Sequence, residues 1–375
     1  MQSSNCSLNP MRNDNRFKLG IFSTNADGGL AFTTVDERWR VDWDDSAAVA
    51  QMADQAGFEF ILPIARWKGY GGATNVRHAS FETLTHAAAV AAITQKIAVF
   101  STVHVPLVHP VFAAKSLMTI DHVSKGRSGL NIVCGWNQDE FDMFGHRQPI
   151  HDVRYDQGLE WYTVLSKIFE GSPAFDYRGA FYDLKGVIGA PRPLQAAGPF
   201  TISAAFSPAG RQFAAKTSDG LFTPLREAEK ASRHISEIEA MARAAGRAVK
   251  VFTTCHVVCR ETDREAQDYY DHYAVEMADK AAVERHMKAK TAHYESIDPD
   301  IRRVEQRRFA GGTGTHPLIG SPERIVDEMI AIQRLGFAGT TVSFVNFKNE
   351  LPFFIDRVLP LMEQAGLRRP VSASA

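Results

Sequence analysis

Asn131 stands near the start of the apolar run LNIVCGW, residues 130–136, and Thr102 closes a second such run, KIAVFST. A buried amide must find partners for both its donor and its acceptor faces. Either Asn131 satisfies neighbouring backbone, or it points at a polar ligand beside the Gly135-Trp136 turn that follows. Thr102 is the corresponding group one strand earlier, where a threonine is otherwise β-favourable filler. Arg154 and Tyr155 open the stretch HDVRYDQGLEW, and Ser207 lies where FTISAAF passes into the proline-opened SPAGRQFAAKTS. A helix N-terminus with an adjacent hydroxyl and an arginine makes an anion cradle; without a ligand the same residues are an N-cap and a surface arginine. His104 and His109 in VHVPLVHP flank prolines at a spacing that fits no metal motif, and no HxH, HExxH or carboxylate cluster supports them, so no metal is expected. His104 is either an acid or base near neutral pH or a satisfied loop histidine. No GxGxxG, GxxxxGK[ST] or GxSxG occurs, which excludes the corresponding dinucleotide, nucleotide and hydrolase readings.

Strand and helix patterns alternate around these residues. FKLGIFS, FEFILPI, KIAVFST, SGLNIVCGW, FTISAAF, GLFTP, VKVFTTCHVV and FAGTTVSFV read as eight buried strands, each followed by a helical pattern. The first helix, in DDSAAVAQMADQAGF, is expected to be capped by Asp45 or Ser46. FDYRGAFYDLKG reads as a hairpin outside the alternation. The simplest closure is an α/β fold of the (β/α)8 TIM-barrel class with insertions, whose active site gathers at the C-terminal strand ends. The spacing predicts a polar N-terminal tail over 1–16, one barrel domain over 17–367 and a C-terminal tail over 368–375. A charged insertion at about 280–316 reads as a mobile lid or a solvated excursion.

The chain has 375 residues, 45% of them hydrophobic, enough for one large core. Lys plus Arg number 42 against 43 Asp plus Glu, so neither nucleic acid nor an anionic membrane is an expected partner, and a small molecule is. The polar start and the lack of a run of about 18 apolar residues point to the cytoplasm. Cys6, Cys134, Cys255 and Cys259 form no CxxC pair and are expected to be reduced, the last two on one strand face.

GRSGLNIVCGWNQDEFDMFGH followed by HDVRYDQGLEW resembles the signature of the bacterial-luciferase-like flavin-dependent monooxygenases, nearest the branch of pyrimidine, dimethylsulfone and alkanesulfonate monooxygenases. AGFEFILPIARWKGYGG, TQKIAVFST, AAKSLMTIDHVSKGR, SPAGRQFAAKTSDGLF and GSPERIVDEMIAIQRLGFAGTTVSF fall in that family's order. The resemblance implies a luciferase-like barrel that binds reduced FMN and uses O2, with NAD(P)H consumed by a separate, transiently bound flavin reductase. It implies flavin contacts at Ala65, Arg66, Thr102, Asn131 and Glu140, a phosphate end at Arg154, Tyr155 and Ser207, and catalytic roles for Thr102 and Asn131 as hydrogen-bond donors beside the ring. It also implies a homodimer or homotetramer. The expected reaction is oxygen insertion into, and cleavage of, a C–N, amide or C–S bond of an N-heterocycle, a sulfone or a similar small molecule. A sulfonate fits less well, because LFTPLREAEK offers only Arg226 after the sixth strand. The competing readings are a deazaflavin-dependent hydride-transfer oxidoreductase of the same superfamily and a non-catalytic flavin-binding barrel.

Overall fold

The computed structural model describes residues 9–147, 151–171, 173–196, 198–290 and 298–371. Its strands in chain order are β1 (Lys18–Phe22), β2 (Phe60–Leu62), β3 (Ala98–His104), β4 (Ser128–Val133), β5 (Phe175–Arg178), β6 (Asp183–Val187), β7 (Phe200–Ala204), β8 (Gly220–Phe222), β9 (Lys250–Cys259), β10 (His316–Gly320) and β11 (Gly339–Val342). Eight of them close a parallel barrel in the order β1-β2-β3-β4-β7-β8-β9-β11, with β11 pairing back to β1. These are the eight strands expected from the sequence. β5 and β6 form the antiparallel hairpin. β10 was not foreseen as a strand; it runs parallel to the second half of β9.

The helices are α1 (Trp43–Gln55), α2 (Thr83–Ile93), α3 (Pro110–Val123), α4 (Gln138–Met143), α5 (His151–Glu170), α6 (Pro208–Thr217), α7 (Ala228–Ala244), α8 (Asp263–Asp271), α9 (Lys280–Lys290), α10 (Pro299–Gly312), α11 (Pro322–Arg334), α12 (Phe347–Arg357) and α13 (Leu359–Gln364). None among the described residues is long and apolar enough to cross a membrane. The cap of α1 is Asp42, not Asp45 or Ser46: its carboxylate accepts the Asp44 and Asp45 amides at 2.9 and 3.3 Å. Ser46 instead donates to Thr24 O at 3.2 Å, tying the helix to the loop after β1.

Alternation along the strands decides which end of the barrel is free. Phe60, Phe100, Phe200, Phe222 and Phe252 pack together in one cluster, with Phe60 touching Phe100, Phe222 and Phe252 edge-on at 5.7, 6.1 and 6.2 Å between centroids. Gly20 makes room for this layer, because a Cβ there would stand 2.3 Å from the Phe60 ring. Beneath lies Met11, fully buried, on a single 3-10 turn (Pro10–Arg12) capped by Asn9. The described part of the expected N-terminal tail, residues 9–16, therefore seals the barrel floor. Toward the other terminus, Arg368 donates to Gly57 O at 2.7 Å and the Arg369 amide to Asn15 Oδ1 at 2.8 Å, so residues 368 and 369 of the expected C-terminal tail are fastened to the barrel.

The insertion is built differently from a solvated excursion. Within its described residues, α9 and α10 bury Val283, Met287, Phe309 and Ala310 against Phe32, Tyr70, Tyr270 and Tyr273 in a second apolar cluster above the barrel. Asp279, 3% exposed, locks α9 to the loop after β2 by accepting the Thr74 amide at 2.8 Å and the Thr74 hydroxyl at 2.7 Å. Gly72 permits this at φ +76°, since a Cβ there would lie 2.3 Å from the Asp279 carboxylate.

Candidate active site

Phe100 faces into the barrel, so period-2 alternation carries Thr102 and His104 onto the same inner face nearer the mouth. Asn131 pairs in register with Thr102 across the β3–β4 ladder. The Thr102 hydroxyl donates to Pro63 O at 2.6 Å, leaving its oxygen as an acceptor, which the Asn131 amide nitrogen meets at 3.2 Å. This fixes the orientation of the amide. Asn131 Oδ1 is then buried with no hydrogen-bond partner. Sequence reasoning made both groups donors toward a ligand; the structure commits the Thr102 proton to Pro63 and turns an acceptor, Asn131 Oδ1, toward the interior.

Ala65 and Arg66 follow β2 on the adjacent side. Arg66 Nη1 lies 3.5 Å from Glu140 Oε2, a buried ion pair, and its guanidinium stacks 4.8 Å from the Trp136 ring centre. Glu140, on α4, also accepts the Trp67 amide at 3.0 Å. Those contacts clamp the loop after β2 to the loop after β4. Arg66 Nε remains buried and unpartnered. Asn25, which sequence reasoning missed, holds the same exit: its side chain accepts the Ile64 amide at 2.8 Å and donates to Ile64 O and Phe81 O. Its only sequence signal was an amide just past the first strand.

On the neighbouring flank, past the adjacent strand β7, Ser207 caps α6 by accepting the Gly210 amide at 3.1 Å and lies 3.4 Å from the Tyr155 hydroxyl. Gly210 lets the tyrosine sit over the first turn, because a Cβ there would come within 2.6 Å of the Tyr155 oxygen. Arg154 donates through Nη1 to Gly135 O, while its Nε is buried without a partner. Gly135 adopts φ +90°, and a Cβ there would strike Phe141 at 2.6 Å. The turn after β4 therefore needs glycine to bring Trp136 beside Arg66.

His104 is 7% exposed, and burial, helped by the Arg66 charge, pushes its pKa down to about 3. Burial therefore favours the neutral ring near physiological pH, and that ring lines a cleft with Ala65, Arg66 and Thr102. His109 is the N-cap of α3, its Nδ1 accepting the Val111 amide at 3.3 Å. No cluster of metal-ligating side chains occurs among the described residues. Cys134, Cys255 and Cys259 are free and buried, each thiol pushed up to about 12 by desolvation, while Cys6 lies outside the described residues. Arg226 is exposed. The basic group fastened behind β8 is instead Arg308 of α10, which donates to Leu225 O at 2.7 Å and Thr315 O at 3.0 Å.

Ala65, Arg66, Thr102, Asn131 and Glu140 thus gather on one side of the mouth, and Arg154, Tyr155 and Ser207 on a neighbouring one. Residues 17–339 match the sequence profile of the luciferase-like monooxygenases. The FMNH2-dependent dimethylsulfone monooxygenase of Pseudomonas putida is 29% identical over 92% of this chain and 95% of its own length. Pyrimidine monooxygenase RutA of Klebsiella pneumoniae (strain 342) is 28% identical over 92% of this chain and 96% of its own. The crystal structure of DmoA from Hyphomicrobium sulfonivorans superposes with a TM-score of 0.83 at 21% identity, covering 96% of this chain and 92% of that one.

Proposed function

The chain belongs to the luciferase-like monooxygenase family, and from that premise we propose that reduced FMN binds at the barrel mouth with its ring beside Asn131 and its phosphate at the α6 N-terminus. The enzyme is an FMNH2-dependent monooxygenase, as its curated relatives are. The observation that carries the placement of the ring is Asn131 Oδ1, a buried acceptor with nothing to accept. A reduced isoalloxazine offers N–H donors, and a carbonyl-type acceptor held rigid by Thr102 suits them. The α6 amides, the Ser207 and Tyr155 hydroxyls and the Arg154 guanidinium suit a phosphate.

When bound, the flavin supplies the electrons that activate O2. The protein's own residues bind, orient and keep water out. Arg66, Glu140 and Trp136 wall one side, and the apolar cluster of α9 and α10 packs against Trp136 and the loops after β1 and β2, which supports the dry surroundings such chemistry needs. Thr102 acts through Asn131 by fixing its amide. The substrate on this reading is a small organic molecule oxidised at a C–N, amide or C–S bond, and the reduced flavin arrives from a separate NAD(P)H:flavin reductase.

The test is to supply FMN, NADH and a flavin reductase to the purified protein and follow candidate N-heterocycles, amides and sulfones by mass spectrometry. Loss of a compound that requires oxygen and the protein, with an 18O label from O2 in the product, supports the reading. Tight binding of a deazaflavin with no affinity for reduced FMN overturns it.

A further inference from the structure

His104 ends β3 one inward-facing position beyond Thr102, roughly 6–7 Å nearer the mouth. Its backbone is pinned there, because its carbonyl accepts the Leu107 and Val108 amides at 2.9 and 3.1 Å. Among the described residues its ring makes no hydrogen bond, yet neither nitrogen is sealed away as both are in His86. The ring therefore opens on the cleft that it lines with Ala65, Arg66 and Thr102. A neutral imidazole has one N–H donor and one bare acceptor nitrogen, and a largely buried ring that uses neither is set to meet a partner from outside the protein.

Size and charge decide what that partner is. The open space is about 20 Å3, room for roughly one water-sized group, so a single polar substituent enters while the rest of the molecule stays over the mouth. Its charged lining is already spent. Arg66 is paired with Glu140 at 3.5 Å, and the Glu82 carboxylate caps α2, accepting the Leu84 and Thr85 amides at 2.9 and 2.8 Å. Among the lining residues no unpaired cation remains to meet an anion. A cation is disfavoured too, because Arg66 is the charged group that bears on the His104 ring. An uncharged oxygen acceptor satisfies both limits.

We propose that His104 is a specificity-determining residue of the reaction site, its ring N–H donating to a carbonyl or sulfonyl oxygen of an uncharged substrate. This rests on the monooxygenase reading and names the substrate feature recognised at that same site, two residues along β3 from the Asn131–Thr102 pair.

Calorimetric titration of the full chain, with FMN present, tests the assignment on matched probes: methyl phenyl sulfone against methyl phenyl sulfide, and acetophenone against ethylbenzene. His104→Leu keeps an apolar side chain of similar bulk and removes the donor. It is expected to weaken at least one oxygen-bearing probe about fivefold, the worth of one neutral hydrogen bond, and to leave its oxygen-free counterpart within about twofold. His104→Asn, which restores a donor, should recover part of the loss. Benzenesulfonate, the anionic analogue of the sulfone, is expected to bind the parent protein less tightly than the sulfone does. The proposal is overturned if His104→Leu changes both members of each pair alike, if no probe binds the parent protein, or if benzenesulfonate binds it best. FMN affinity, measured on the same samples, reports on the monooxygenase reading separately. Parent protein that binds no FMN sinks that reading, FMN bound without selection among the probes sinks the His104 assignment alone, and a loss of FMN affinity in His104→Leu gives the ring to the cofactor and overturns it as well.

Discussion

Asn131 and Thr102 sit opposite each other in the β3–β4 ladder, and the asparagine amide nitrogen donates to the threonine oxygen at 3.2 Å because the threonine proton is already given to Pro63. One backbone carbonyl thereby sets the direction of a side-chain amide two residues above the aromatic floor. Asn131→Ala removes the acceptor without disturbing that floor. Oxygen-dependent turnover is expected to fall about 100-fold, the usual cost of losing one preorganised polar group beside the reacting centre, with a melting temperature close to that of the parent. Turnover near the parent rate would take Asn131 out of the reaction.

Thr102→Val keeps the shape and removes the hydroxyl, stranding both Pro63 O and the Asn131 amide nitrogen. The expected loss of stability is about 1–3 kcal/mol, read from urea midpoints. Thr102→Ser should recover most of it and restore flavin-dependent turnover with it. If valine is as stable as threonine, the relay from Pro63 to Asn131 contributes nothing.

Arg154→Ala should separate the two ends of the cofactor. Riboflavin lacks the phosphate, so its affinity is expected to stay within about twofold, while FMN affinity falls about tenfold or more. Fluorescence quenching titrations of both flavins give the comparison. An equal loss for both would place Arg154 in general support of the turn at Gly135, to whose carbonyl it donates.

How much of this was legible in the sequence follows from the range of the interactions involved. The eight strands were readable because a parallel barrel buries each on both faces, and Thr102 beside Asn131 follows once consecutive strands pair with a period of two. Contacts between distant segments were not readable. Asp279 on Thr74, Asn25 on Ile64 and Arg308 on Leu225 join residues far apart in the chain, and none has a local pattern. The insertion misled because α9 and α10 bury narrow stripes, Val283 with Met287 and Phe309 with Ala310, between many charges, so its composition looked solvated. Even the cap of α1 slipped from Asp45 to Asp42, since Ser46 is drawn away by Thr24.

Gly72→Ala probes that hidden fastening. The left-handed φ of +76° and the Asp279 carboxylate 2.3 Å from the added methyl both oppose it. Stability is expected to drop by about 1–3 kcal/mol, and hydrogen exchange in α9 should quicken as the Asp279–Thr74 contacts loosen. Gly145→Ala is the control, also at positive φ but with nothing within 4 Å of its Cβ. Equal effects at both positions would mean that backbone strain alone matters and that the carboxylate does not hold the loop.

Stability should also fall as the solution is acidified below neutrality, for a reason lodged in the histidines. His104 and His256 are pushed down to about 3, and His86 and His316 to about 4, chiefly because burial disfavours the charged ring. The unfolded chain takes up a proton on each near pH 6.5, whereas the folded chain refuses it until pH 3 to 4. Across that window the unfolded state binds more protons, and each histidine lowers stability by up to about 1.4 kcal/mol per pH unit. The urea midpoint is therefore expected to be lower at about pH 5 than at about pH 7, and His86→Leu should flatten the slope by removing one titrating ring. Turnover, by contrast, should show no inflection from His104, which stays uncharged throughout. A midpoint that holds steady or rises on acidification would mean these rings are hydrated and protonated in the folded protein, and the neutral lining assigned to the cleft beside Thr102 would be wrong.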